Sequence, residues 1–138
     1  MAKPTKRPMT LVMMSFEADR IHMALMMGAT AAAVGRPVTF FFSKSAIRFL
    51  QTDGWTALVA ANGLTGPEMD AGLITKGVAD SGVLLDGLAA LDARFVACET
   101  ALREHNIDAV SLVTRPAVEV SGLADVLEKG AGGDWLTF

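Results

Sequence analysis

The chain has 138 residues, 51% of them hydrophobic and 20% charged. That is the length and composition of one globular domain with its own core, and it excludes a disordered chain. The net charge of −3 and the pI near 5.3 leave no basic face and so argue against nucleic-acid binding, while a mean hydropathy of +0.39 calls for buried helices or for surface covered by other subunits.

Residues 1–9 carry Lys3, Lys6 and Arg7 together with Pro4 and Pro8 and read as a flexible tail, followed by a single domain over residues 10–138. Residues 10–15 (TLVMMS) read as a buried first strand. Asp19 is the expected N-cap of the helix that follows. Its inward stripe is Ile21, Ala24, Leu25, Gly28 and Ala32, and Gly35 ends it. Residues 37–42 (PVTFFF) form a β-branched and aromatic second strand. Strand, helix, glycine and strand make a βαβ unit, so these two strands should be parallel with a right-handed crossover.

Residues 43–50 read as a short helix capped by Ser43 or Ser45. Residues 52–82 hold many glycines and read as a long connection with short helical pieces, anchored by Met69, Leu73 and Ile74. A helix over 83–91 leads to a third strand, 94–97, which ends at Cys98. A short helix over 99–105 stops at Asn106, and residues 108–113 are a further short helix or a loop. A fourth strand at 117–120, a helix at 123–129 closed by Gly130, and a final strand at 134–138 complete the chain. The alternation predicts a three-layer α/β/α sandwich around a mainly parallel sheet of about five strands.

The apolar run 24–34 is too short to cross a bilayer. No signal-peptide pattern fits, since the apolar run 11–16 is met at once by Glu17 and Asp19, so the cytoplasm is the expected compartment. One cysteine excludes an internal disulfide and a cysteine-cluster metal site. No GxGxxG, P-loop, HExxH or CxxC pattern is present, and no metal or organic cofactor is expected.

In an open parallel sheet, ligands gather at the carboxyl ends of the strands. That rule selects Ser15, Ser43, Lys44, Cys98, Glu99 and Thr100, with Cys98 as the one intrinsic nucleophile. The helix after Cys98 would aim free N–H groups and the positive end of its dipole at the sulfur, which favours a thiolate. Glu99 opposes this, and Lys44 or Arg48 would compensate. The other reading of Cys98 is a small buried hydrophobe. His22 and Asp19 read as a solvated helix residue and a cap, His105 as surface, and Met13, Met14, Met23, Met26 and Met27 as core filling.

Three segments carry a resemblance to a known family. They are TLVMMS with DRIHMALMMGATAAAVGRPVTFFF, then LAALDARFVACETALREHNID, then VEVSGLADVLEKGAGGDWLTF. In this order they resemble the DsrE/DsrF-like (YchN-like) sulfur-relay proteins, with Val96-Ala97-Cys98 as the residue-specific anchor, and the Phe-rich strand is most similar to the subgroup labelled peroxiredoxin-like. The resemblance implies a homo-oligomer, often a trimer or hexamer. It also implies that Cys98 accepts sulfur as a persulfide and passes it to a partner such as a TusA-like carrier. The alternative is a non-catalytic homo-oligomeric binding module with an inert buried cysteine.

Overall fold

The computed structural model describes residues 6–138. Five parallel strands form one sheet in the order β4-β3-β2-β1-β5: β1 Met9–Met13, β2 Val38–Phe42, β3 Arg94–Cys98, β4 Val118–Ser121 and β5 Asp134–Thr137. The helices are α1 Ala18–Ala33, α2 Gly66–Thr75, α3 Ser81–Ala90, α4 Glu99–Glu104 and α5 Leu123–Lys129, with 3₁₀ turns at Lys44–Leu50 and Ala109–Ser111. No helix among the described residues is long and apolar enough to cross a membrane.

The three layers follow from the pleat. Leu11 and Phe40 are register partners, and a β-carbon on Gly28 of α1 would strike both of their side chains. Thr10 and Trp135 are also partners, one residue out of step and therefore on the opposite face, and they close on Gly130 at the end of α5. So α1 covers one face, with α3 packed beside it, and α5 lies against the other. The first face is aromatic. Phe40, Phe42 and Phe95 are fully buried, and Phe40 stacks on Phe95 with ring centroids 5.1 Å apart.

The inward stripe expected for α1 is buried at each of its five positions. The helix starts one residue after Glu17, and the Glu17 side chain makes no cap hydrogen bond. Asp19 is not the cap. Its Oδ2 instead accepts from the Ala61 N–H at 3.1 Å and so holds the long connection. Gly35 adopts φ +89°, the Gly35 N–H donates to Ala32 O, and the Arg36 N–H donates to Ala31 O, which is a Schellman stop. Asn106 ends α4 in the same way, as expected, with the Ile107 N–H donating to Leu102 O. Gly77 closes α2 alike.

The long connection contains one true helix, α2, with a complete capping box between Thr65 and Glu68. Of its expected anchors, Met69 packs on the core and Leu73 is half-buried, but Ile74 is 61% exposed. Asp70 of α2 binds the segment together. Its carboxylate accepts from Trp55 Nε1–H at 2.6 Å, from Ser81 Oγ–H at 2.6 Å and from the Ser81 N–H at 2.9 Å.

The expected tail lies in part outside the described residues; within its described part, Arg7 is ion-paired and Met9 already belongs to β1. At the amino edge of the sheet, Asp134 pairs with Arg36 Nη2 at 2.5 Å and Arg7 Nη2 at 2.8 Å. The hydrogen bond from Arg36, and then the charges of Arg7 and Arg36, hold its carboxyl below the usual carboxylate value. A depressed folded pKa means stability that is present above the unfolded value of about 3.9 and lost as pH falls through the folded one. Acid titration followed by circular dichroism should therefore show Asp134→Asn less stable than wild type near neutrality. The difference should shrink below about pH 4. A difference constant down to pH 2 would rule this contribution out.

Candidate functional site

Ser15, Ser43 and Cys98 all come at the carboxyl edge of the sheet, after β1, after β2 and at the end of β3. The register sets Ser43 beside Cys98, because Phe42 and Ala97 just before them are partners, whereas Ser15 lies two residues past the end of β1. β1 ends at Met13, and the N–H groups of Met14 and Ser15 turn to Phe138 O at 2.7 and 3.2 Å. The chain reverses its step here, because β5 returns to flank β1, and the backbone of residue 138 pairs with that of residues 12, 14 and 15 at that switch point. Ser43 donates its N–H to Met13 O at 2.9 Å and makes no side-chain cap for the 3₁₀ turn.

Cys98 is 3% exposed. It is the N-cap of α4, yet its side chain makes no cap hydrogen bond. Both expected cations are engaged with other groups. Lys44 Nζ donates to the carboxylate of Glu104 at the far end of α4, at 3.1 Å. The Arg48 guanidinium stacks over Phe16, 4.6 Å from the ring centroid. Glu99 is exposed and folds toward Gly122, where a β-carbon would come within 2.9 Å of Glu99 Oε1. Thr100 is exposed. What this edge presents is a buried thiol that makes no side-chain hydrogen bond among the described residues.

Two other expectations need correction. His22 is buried, and its Nε2–H donates to Ala79 O at 2.9 Å, which ties α1 to the start of α3. The methionines divide: Met13 is core, but Met14, Met23 and Met26 are 44%, 45% and 37% exposed. The signal for the latter was present in the sequence. From Ile21 to Gly35 there is no Asp, Glu, Lys or Arg, so α1 is apolar on both its faces. A helix apolar all round is covered on all sides. The outer face of α1 carries Met26, Thr30 and Val34 at i, i+4 and i+8 as a ridge. A shallow groove runs along each side of it, of about 390 Å³ toward Met9 and Met23 and about 410 Å³ toward Val78 and Leu84.

With this geometry in view, the solved structures supply the likeness. The chain is similar to the protein MTH1491 of Methanobacterium thermoautotrophicum, with a TM-score of 0.63 and 14% identity over 96% of this chain and 100% of the other. It is similar to the ychN protein of E. coli, with a TM-score of 0.61 and 14% identity over the same shares. Its fold is that of YchN. The protein BT1422 of Bacteroides thetaiotaomicron shares it at a TM-score of 0.59 and 10% identity, over 95% of this chain and 94% of the other. No family model and no curated protein matches the chain. At such identities the likeness establishes the YchN-like α/β fold and nothing about chemistry.

Proposed function

We propose that this chain is a self-associating module of the YchN-like fold that buries the outer face of α1 against a second copy. One observation carries the reading: a surface helix with no Asp, Glu, Lys or Arg from Ile21 to Gly35 that exposes Met23, Met26 and Val34. An exposed apolar ridge flanked by two grooves is the shape that ridges-into-grooves packing needs. A surface that meets its own copy about a two-fold axis must keep like charges apart, and the ridge residues Met23, Met26, Thr30 and Val34 carry no charge, with Arg36 and Lys6 only at the Val34 end. The resemblance to the DsrE/DsrF-like family, whose members form homo-oligomers, supports the same reading at the family level. The peroxiredoxin-like subgroup rests on the Phe-rich β2 alone.

A second reading has one observation in its favour, the position of Cys98 at the carboxyl end of β3 and the N-cap of α4. In it, the Cys98 thiolate attacks the outer sulfur of a donor persulfide. A Cys98–SSH forms and the donor leaves as a thiolate. A partner thiol, such as that of a TusA-like carrier, then takes the outer sulfur and releases Cys98. Burial of the thiol in the single chain weighs against it.

Light scattering at micromolar concentration tests the first reading. Wild type should show a multiple of the 14.5 kDa chain mass, and Met26→Glu should run as a folded monomer. A monomeric wild type overturns self-association. Alkylation of the native protein separates the second reading. An inert Cys98 should label roughly two orders of magnitude more slowly than in the unfolded chain, whereas fast labelling together with sulfur uptake seen by intact mass would restore the relay.

A further inference from the structure

Between the Lys44–Leu50 turn, β3 and Leu85 of α3 lies a further recess, of about 160 Å³. Trp55 is its accessible aromatic wall, backed by the buried rings of Phe49 and Phe95, with Leu85 and Pro116 also against it. Arg115 is its one charged lining residue. We propose that this recess binds a small planar apolar molecule bearing one carboxylate or similar anionic group, its ring against the aromatic wall and its anion on Arg115.

The wall is preformed. Phe49 and Trp55 meet edge to face, with centroids 6.1 Å apart and planes at 87°. The indole cannot swing freely, because Trp55 Nε1–H is held by Asp70 at 2.6 Å. Phe95 is locked by its stack on Phe40. A site whose groups are already in place loses little entropy on binding. The volume is below that of drug-sized pockets, so it selects a ligand of about one ring.

Charge sets the other end of the ligand. No acidic side chain lines the recess. The Arg115 partner is Asp86, at 3.3 Å, with the two side chains 80% and 69% exposed. Such a solvated pair is weak, so an anion entering from the recess can compete with Asp86 for the guanidinium. A carboxylate also matches the forked donors of arginine. The recess shares no lining residue with the two α1 grooves, so this inference goes beyond self-association and stands or falls apart from it.

The test titrates the whole protein with phenylacetate and with phenylacetamide, an acid and its neutral isostere. The readout is the pair of indole N–H resonances, one from each of the two tryptophans, assigned with Trp135→Phe. The Trp55 signal should shift saturably with phenylacetate while that of Trp135 stays in place. The amide should bind about tenfold more weakly, a difference of roughly 1.4 kcal/mol. Arg115→Gln, a change at an exposed side chain, should remove the acid preference and leave the fold intact. No saturable shift below about 10 mM, equal binding of acid and amide, or an acid preference that survives Arg115→Gln would each overturn the proposal.

Discussion

Gly28→Val should lower the stability of the domain by about 3 kcal/mol, read as a fall in the denaturant midpoint at constant slope. In an isolated helix, replacing glycine gains up to about 1 kcal/mol of helix propensity. Here the new β-carbon would run into Cζ of Phe40, and it would lie 2.9 Å from Phe40 Cε2 and 3.0 Å from Leu11 Cδ1. A surface side chain would turn aside. Phe40 cannot, because it is fully buried and stacks on Phe42 at 6.2 Å and on Phe95 at 5.1 Å. The helix must lift from the sheet instead, and overpacking exceeds propensity. A double-mutant cycle with Phe40→Leu makes the cause specific. The smaller side chain should make room, so the double variant should recover about 1 kcal/mol relative to additivity. A Gly28→Ala variant more stable than wild type would show that the ring does yield.

Asp70→Ala should cost about 3 kcal/mol, with the loss centred on the long connection. One carboxylate accepts three hydrogen bonds, from Trp55, from the Ser81 hydroxyl and from the Ser81 N–H at the first turn of α3. Ser81 is 4% exposed, so its donors are left poorly satisfied when the acceptor goes. Asp70→Asn keeps the shape and can hold its one oxygen toward the two donors that meet Oδ2, but its NH2 then confronts the Ser81 N–H. It should therefore fall between wild type and alanine. Hydrogen exchange should show early opening of residues 52–82 in the alanine variant while β1 to β3 stay protected. Uniform loss of protection would mean that the connection unfolds only with the whole sheet. Because Asp70 also holds the Trp55 indole, the same variant should weaken phenylacetate binding without altering the oligomer.

Local patterns were legible because they obey local rules. The period of α1 identifies its inward stripe, and Gly35 and Asn106 mark helix ends, since a Schellman stop places a residue at positive φ that glycine and asparagine tolerate. Strand ends differ from the expected ones by one or two residues, as at β1, where pairing with residue 138 ends the ladder at Met13. The polar residues were harder. Asp19 stands where a cap is expected, and a backbone N–H far along the chain claims it instead. His22 has a helix-surface position by sequence but is buried under the loop that carries Ala79. No spacing rule predicts a partner across so long a connection.

What the amino-acid sequence determined by itself is the alternating α/β pattern, the apolar strands buried on both faces, and the place of Cys98 at the end of β3. Each depends on hydrophobic period and turn chemistry within a dozen residues. It also held the charge-free stretch of α1, although not which of its two faces would be left uncovered. The tertiary structure alone decided the strand order, with β5 returning beside β1, and hence the backbone pairing of residue 138 at the switch point. It alone buried the Cys98 thiol, engaged Lys44 and Arg48 elsewhere, and brought Phe49, Trp55, Phe95 and Arg115 around one recess. The physical reason is common to all of these. Burial and pairing are settled by contacts between segments far apart in the chain, and such contacts depend on which elements the whole core brings together.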